Sequence, residues 1–198
     1  MSSKKLQTRD RILEETRKLM ISNRGTGVKM ADIAKAAGIS RQAIYLHFES
    51  RTELLVAAVH YQDELLKLAD RVAKFRRAKD SVALLDSFIE FWGNYVPEIY
   101  GIAKALMVSR NTDAAAEVAW KDRMDSVRDG CKEVVDALNK ERCLGIGWTK
   151  RRATEMLATI VSIESWERLT IERGWSTREY IKYTKRVANL AFVEADMD

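Results

Sequence analysis

Between residues 28 and 48, apolar and small residues recur in two short helical stripes separated by a glycine. The first stripe comprises Met30, Ile33, Ala34 and Ala37, and the second comprises Ile39, Ala43, Ile44 and Phe48. Apolar residues three and four positions apart share one face of a helix. Gly38 is suited to end the first helix, because a left-handed conformation costs glycine nothing, and Ser40 is suited to cap the second. The pattern predicts a helix-turn-helix.

The residues left facing outward on the second helix are polar, hydrogen-bonding or aromatic: Ser40, Arg41, Gln42, Tyr45 and His47. No acidic residue interrupts this face before Glu49. Such a surface suits the phosphates and base edges of a DNA major groove. Tyr45 and His47 also suit a structural role as partly buried packing residues, so the pattern leaves both interpretations open.

The rest of the chain shows helical spacing and no strand pattern, so the predicted fold class is all-α. Further helices are predicted over residues 6–23, 50–72, 81–96, 98–109, 112–139, 149–173 and 176–191. Pro97 is expected to end a helix, because proline removes a backbone donor and crowds the preceding turn. Two serines with a glutamate three residues later predict capping boxes, at Ser50 with Glu53 and at Ser176 with Glu179.

The composition is that of an ordinary globular protein, but the charge is unevenly distributed. The 198 residues are 46% hydrophobic and 32% charged, with a net charge of +5. Residues 1–55 hold eleven basic and six acidic residues, and the remainder holds 23 of each. The whole positive excess therefore coincides with the predicted helix-turn-helix, which favours a polyanionic partner over the plainer alternative of a solvated basic surface.

The sequence gives little support to catalysis, a cofactor or a membrane location. It has no glycine-rich phosphate loop and no metal-ligand cluster, and His60 stands alone. Cys131 and Cys143 lie in no metal-binding spacing, which favours free thiols in a reducing cytosol over the alternative of a redox pair. Without a signal peptide or a long apolar run, we expect a cytoplasmic protein that is not an enzyme and uses no metal or cofactor.

Four groups of residues at fixed spacing identify a family. They are Asp32-Ile33-Ala34, Gly38-Ile39-Ser40, Ile44-Tyr45 with His47-Phe48, and Arg51 with Glu53-Leu54-Leu55. Together they resemble the signature of the tetracycline-repressor-like (TetR) family of bacterial transcription regulators, over roughly the first quarter of the chain. The resemblance implies an N-terminal three-helix DNA-binding domain (1–50) and a helical ligand-binding and dimerisation domain (51–198), with about nine helices in all.

The function implied by the resemblance is sequence-specific regulation of transcription. Its simplest form is a homodimeric repressor that a partly apolar small-molecule effector releases from a double-stranded DNA operator. Activation stays open, because the polarity of control depends on the position of the operator. From a different class, the alternative is a helical interaction or ligand-carrying protein whose helix-turn-helix does not regulate DNA.

The match to the family assigns roles to the outward residues of the helix-turn-helix. Arg41 and Gln42 are assigned to base edges, since arginine pairs bidentately with guanine and glutamine with adenine. Tyr45, His47 and Arg51 are assigned to phosphates, which position a protein without reading sequence. Ser40 lies on the same face.

The first helix of the motif begins differently from the family pattern, in which a threonine or serine commonly caps it and binds a phosphate. Val28 and Lys29 occupy that region here. Either Thr26 takes over the cap, or Lys29 meets the phosphate as a point charge. Lys29 is therefore a further candidate for DNA contact.

Candidates for a ligand pocket are the aromatic and methionine residues of the central helices: Trp92, Tyr95, Tyr100, Met107, Trp120, Met124 and Trp166. Such residues at helical spacing more often form core than cavity, so both interpretations stand for each. The polar residues that either orient a ligand or lie on the surface are Asn94, Arg110, Arg123 and Glu164.

The last two helices are the usual dimer surface of the family, where they form a four-helix bundle between subunits. The apolar candidates for this interface are Ile160, Ile163, Trp166, Val187 and Leu190. The same residues also suit a core within one subunit, because both roles require the same apolar stripe.

Overall fold

A computed structural model describes residues 3–22 and 28–194, without the side chains of residues 3–5. Within these ranges the chain is helical and forms no strand, so the predicted all-α fold class is confirmed. The helices are α1 (Ser3–Ser22), α2 (Met30–Ala37), α3 (Arg41–Tyr45), α4 (Arg51–Leu65), α5 (Leu68–Phe75), α6 (Ser81–Ser109), α7 (Ala114–Lys140), α8 (Lys150–Ile160), α9 (Ile163–Glu167) with a π-helical continuation (Arg168–Glu172), and α10 (Thr177–Phe192). None of the described helices has both the length and the apolar character needed to cross a membrane.

The helices group into two compact units. Unit 1 comprises Met1–Leu68 and Ile99–Arg123, and unit 2 comprises Ala69–Glu98 and Met124–Asp198. Helices α6 and α7 each contribute to both units. The domain boundary expected at residue 50 stays a prediction; in this grouping α4 lies in unit 1, where α1 packs against it.

Unit 1 is organised around α1, which packs against both α2 and α4. Ile12, Leu13 and Met20 of α1 are buried there, as is Leu54 of α4. The hydroxyl of the buried Thr16 donates to the carbonyl of Ile12 (2.7 Å), which satisfies it within the helix. This apolar seam is what the three-residue and four-residue spacing of α1 predicted.

Helix α4 begins where it was predicted to begin but ends sooner. Ser50 caps it by accepting the amide of Glu53 (3.1 Å), while the carboxylate of Glu53 accepts the amide of Glu49 (2.6 Å). The predicted continuation past Lys67 is wrong, since this residue has φ 52° and interrupts the helix. Its amide donates to the carbonyl of Glu64 (3.0 Å), which tightens and closes the last turn.

Helix α6 runs through Pro97 without interruption, so the predicted break there is wrong. Proline removes the hydrogen bond that its amide would give to the carbonyl of Gly93, at a cost of about 3 kcal/mol. Apolar side chains before and after it are buried, among them Val96 and Ile99. Burying each such side chain contributes about 1.5–3 kcal/mol, so packing along the helix outweighs the cost of the proline.

Unit 2 contains an aromatic cluster contributed by α5 and α6. The ring of Phe75 lies 5.6 Å from that of Phe88 and 5.3 Å from that of Phe91. Phe91 in turn stacks on Tyr95 at 5.5 Å. Centroid distances in this range are those of favourable aromatic pairs, so the cluster forms part of the hydrophobic core.

The single helix predicted over residues 149–173 is interrupted after α8. Thr149 caps α8 by accepting the amide of Arg152 (3.3 Å), but Ser162 starts a new helix by accepting the amide of Ser165 (3.1 Å). The indole N–H of the buried Trp92 donates to the carbonyl of Val161 at the interruption. This bond comes from a residue far away in sequence, which is why helical periodicity did not reveal the break.

The end of the chain follows its prediction closely. Gly174 adopts φ 73°, a conformation that ends the preceding helical segment. Ser176 accepts the amide of Glu179 (3.2 Å), and the carboxylate of Glu179 accepts the amide of Ser176 (2.9 Å). The predicted capping box at the start of α10 is therefore confirmed.

The close approach of α10 to α6 at Gly93 predicts a loss of stability on adding one methyl group. A Cβ at Gly93 would collide with the side chain of Ile181. Overpacking costs about 1–3 kcal/mol, and alanine recovers about 1 kcal/mol through its helix propensity. We expect Gly93→Ala to lower the free energy of unfolding in urea by up to about 2 kcal/mol, the difference between these two effects. The double variant with Ile181→Ala should cost less than the sum of the two single changes, because Ile181→Ala removes the collision, whereas strictly additive costs would contradict the close approach.

Candidate functional site

Helices α2 and α3 form the predicted helix-turn-helix. Gly38 adopts φ 65°, and the amide of Ile39 donates to the carbonyl of Ala34 (3.0 Å), which closes α2. Ser40 then caps α3 by accepting the amide of Ala43 (3.1 Å). The turn thus depends on the two residue types that the sequence pattern singled out, a glycine in the left-handed region and a capping serine.

The apolar side of the motif is buried in unit 1. The buried residues of α2 are those predicted, Met30, Ile33, Ala34 and Ala37. Ile44 and Phe48 are also buried, whereas Ile39 and Ala43 are only partly covered. Helix α3 ends at Tyr45 and is followed by a turn, so the predicted extension to Phe48 is too long.

The opposite side of α3 carries an exposed polar face, which we name the α3 face and define as Ser40, Arg41, Gln42 and Tyr45. Within the described part of the chain, the side chains of Arg41 and Gln42 have no hydrogen-bonding or ion-pair partner. Leu46 follows immediately and is 75% exposed. No role is predicted for Leu46 from the sequence, although its position outside the apolar stripe is a signal that it lies on the surface.

Two other candidates for DNA contact differ in accessibility. Lys29 is exposed at the N-cap position of α2, and its side chain makes no capping bond there. The alternative cap, Thr26, lies outside the described residues. His47 is half-buried in the turn after α3, so it is less accessible than its predicted outward position implied.

Arg51, which was assigned to a phosphate, is engaged inside the protein. Its Nε and Nη2 atoms both donate to the carbonyl of Val28, at 3.0 and 2.8 Å. Its Nη1 atom donates to Oδ1 of Asp113 at 2.6 Å. The side chains of Arg51 and Asp113 are 25% and 19% exposed. Three of the five guanidinium N–H donors therefore serve intramolecular contacts, which argues against the assigned role.

Asp113 also caps the start of α7. Its Oδ1 atom also accepts the amide of Ala115 (3.0 Å) and, at a longer distance, that of Ala116 (3.4 Å). The hydrogen bond from Arg51 is the main cause that holds the pKa of Asp113 below its ordinary value, despite the opposing effect of burial. The carboxylate is thus charged at neutral pH and joins the start of α4 to the start of α7.

A small cavity of about 10 Å³, enough for about one water molecule, lies within unit 1 between α4, α6 and α7. Its lining is Val59, Gln62, Asp63, Ile99, Ile102, Ala103, Leu106, Trp120 and Arg123. Asp63 and Arg123 form an ion pair, with side chains that are 10% and 13% exposed. Burial lowers the pKa of Arg123, but a guanidinium keeps its charge in proteins, so the pair neutralises itself inside an apolar wall.

One of the predicted pocket residues lines this cavity, and the others lie elsewhere in the structure. Of the seven, Trp120 lines the cavity, and the guanidinium of Arg110 lies 5.0 Å from its ring. The cavity lining does not include Trp92, Tyr95, Tyr100, Met107, Met124 or Trp166. Trp92 and Tyr95 belong to the aromatic core of unit 2 instead. The polar lining residues Gln62 and Asp63 were not anticipated.

The candidates for a dimer interface also differ in accessibility. Ile163 is completely buried and Trp166 is 5% exposed, which places both in the core of unit 2. Ile160 is half-buried. Val187 and Leu190 of α10 are 52% and 77% exposed. These last two are the most accessible of the five candidates.

The helix-turn-helix region matches known regulators in sequence. Residues 12–58 match the family model described as "Bacterial regulatory proteins, tetR family". Over 64 residues the chain is 41% identical to the HTH-type transcriptional regulator AlkX of Mycobacterium tuberculosis, a stretch covering 32% of this chain and 28% of that protein. In the first curated relatives, the matching stretch spans 28% to 39% of their own length.

Solved structures match almost the whole chain. A transcriptional regulator from Saccharomonospora viridis in complex with choline has a TM-score of 0.73 at 18% identity, covering 96% of this chain and 99% of that chain. The regulator FadR from Bacillus subtilis in complex with stearoyl-CoA has a TM-score of 0.69 at 11% identity, covering 91% and 96%. At these identities the likeness establishes a shared fold. Together with the family model and the geometry of α2 and α3, it confirms the resemblance drawn from the sequence: residues 12–58 form a helix-turn-helix domain of the tetR family, in a chain with the fold of known bacterial regulators.

Proposed function

We propose that the protein is a homodimeric, sequence-specific DNA-binding regulator of transcription whose affinity for its operator is lowered by a small molecule. The observation that carries this proposal is the α3 face, on which Arg41 and Gln42 are exposed without partners in the described chain while the other side of the motif is buried. A helix presented in this way fits a major groove. The excess of five positive charges in residues 1–55 favours the same partner.

Each exposed residue of the motif fits a particular kind of DNA contact. Arg41 is suited to pair with a guanine edge and Gln42 with an adenine edge. Tyr45 and Lys29 are suited to phosphates, which hold the motif in place without reading bases. Leu46 fits an apolar contact, such as the methyl group of thymine.

An exposed apolar stripe on α10 supports dimerisation. Tyr183, Val187 and Leu190 are 41%, 52% and 77% exposed and follow the four-residue and three-residue spacing of one helix face. Met156 of α8, the helix that packs against α10, is 45% exposed. A symmetric dimer would bury this apolar surface and would present two helix-turn-helix motifs to half-sites about one DNA turn, roughly 34 Å, or a multiple apart.

The cavity in unit 1 is the proposed effector site. Its mostly apolar wall with one ion pair has the chemistry for a small molecule with an apolar body and a polar group, and the helices around it would have to move apart to admit that molecule. Two proteins of the same fold were solved with choline and with stearoyl-CoA. Helix α4 supplies Val59, Gln62 and Asp63 to the cavity and begins directly after the helix-turn-helix. A ligand that displaces α4 would weaken DNA binding, and a coupling of about 1–3 kcal/mol is sufficient for a switch.

The assignment of Arg41 to base reading can be tested on selected DNA. We expect Arg41→Ala to lose about 1–3 kcal/mol of discrimination between the preferred duplex and a scrambled one, because the bidentate contact to a base is removed. The preferred duplex is obtained by selection from random DNA, and affinities are measured by fluorescence anisotropy at fixed salt.

Arg128→Ala is the matched control for Arg41→Ala, since Arg128 is an exposed arginine in unit 2. It should leave the discrimination unchanged. Equal losses of Arg41→Ala on preferred and scrambled DNA would refute base reading, and the absence of any sequence preference in the wild-type protein would refute the proposed function.

The apolar stripe on α10 predicts the effect of a charge at Leu190. We expect Leu190→Asp to shift the protein from dimer to monomer in sedimentation-velocity experiments, because a buried unpaired carboxylate opposes association. The monomer should also bind the selected operator more weakly. Ile146→Asp is the control, since Ile146 is 87% exposed in the loop before α8. A dimer that survives Leu190→Asp would place the interface elsewhere.

A further inference from the structure

Arg51 lies at the start of α4, beside the motif that we propose to contact DNA, yet its guanidinium faces the protein. We propose that Arg51 and Asp113 form a clamp that positions the start of α2 for DNA binding, and that Arg51 does not act as a phosphate contact. This inference rests on the proposed DNA-binding function. It assigns a positioning role to two residues, one of which, Asp113, lies far outside the matched region 12–58.

The clamp acts on the backbone at the point where the chain enters α2. Two donors of Arg51 converge on the carbonyl of Val28, the residue before the N-cap Lys29. The carbonyl of Lys29 in turn accepts the first amides of the helix, from Asp32 (3.0 Å) and Ile33 (3.2 Å). Fixing the Val28 carbonyl therefore fixes the direction in which α2 starts and the place from which the Lys29 side chain projects.

Asp113 holds the guanidinium in this orientation. The carboxylate is anchored independently of Arg51, because it caps α7 through the amide of Ala115. Arg51 bridges two acceptors that are 85 residues apart in sequence, Val28 and Asp113. A planar guanidinium can bridge them with separate donors, whereas an ammonium group offers only a single point of attachment. The bridge from the Val28 carbonyl to the Asp113 carboxylate thus accounts for an arginine at position 51 without a phosphate contact.

The clamp also provides a physical route from the cavity to the DNA-binding motif. Helix α7 begins at Ala114, directly after Asp113, and lines the cavity with Trp120 and Arg123. A displacement of the start of α7 would be transmitted to the Val28 carbonyl through Arg51. All of these residues belong to unit 1.

The decisive experiment measures operator affinity as a function of salt for Arg51→Lys and Asp113→Asn. Arg51→Lys keeps the positive charge and removes the bridge, and Asp113→Asn removes the partner charge while asparagine remains a good helix cap. For a clamp, we expect each variant to bind the selected operator about tenfold more weakly, as for loss of a charge-assisted bond. The slope of log affinity against log salt should stay unchanged, because no phosphate contact is lost.

Asp122→Asn is the matched control for the change in charge. Asp122 also lies on α7 in unit 1, and its carboxylate pairs with His60 (3.1 Å) at the surface without touching Arg51. It should not weaken binding. The double variant Arg51→Lys with Asp113→Asn should bind no more weakly than the single variants, because both changes open the same clamp.

A phosphate contact by Arg51 would give the opposite pattern. Arg51→Ala would then flatten the salt slope by about one unit, and Asp113→Asn would leave binding unchanged or strengthen it by freeing the guanidinium. Either result would overturn the clamp. Hydrogen exchange at the amides of Asp32 and Ile33 supplies a readout without DNA, and it should accelerate in both clamp variants. Unchanged hydrogen exchange at these two amides in the variants would also overturn the clamp. Failure of the wild-type protein to select DNA would refute only the proposed DNA-binding function.

Discussion

The burial of the apolar side of the helix-turn-helix against α1 is the constraint on which the candidate interface depends. Helix α3 has only five residues, and a helix of that length is unstable alone in water. It is held by the buried side chains of Ile44 and Phe48 and by the cap at Ser40. Because the apolar side is committed to the core, the polar residues of α3 have no position left except the surface.

The helix ends and caps that depend on residues adjacent in sequence were predictable from the residues alone. Gly38 ends α2 in a left-handed conformation, and Ser40 and Ser176 cap the helices that follow them. Features that depend on packing were not predictable in this way. Pro97 stays within α6 because buried residues lie along both parts of the helix, and α8 ends where the carbonyl of Val161 meets a distant indole.

In the candidate site too, contacts between residues close in sequence were predictable and contacts between distant residues were not. The exposure of Arg41 and Gln42 followed from helical spacing and the resemblance to a known family. The partner of Arg51 did not, because Asp113 is 62 positions away and no pattern connects the two residues. Pocket residues were hard to identify because Trp92 and Trp120 look alike in sequence, although the first belongs to an aromatic core and the second lines a cavity.

Leu46 adds an apolar side chain to a surface that is otherwise mostly polar. It is a large aliphatic side chain, 75% exposed, at the end of the helix proposed to enter the groove. Withdrawal of such a side chain from water lowers the heat capacity of the system, whereas displacement of ions from phosphates is governed by salt. The burial of this leucine would therefore contribute to an enthalpy of complex formation that becomes more negative on warming.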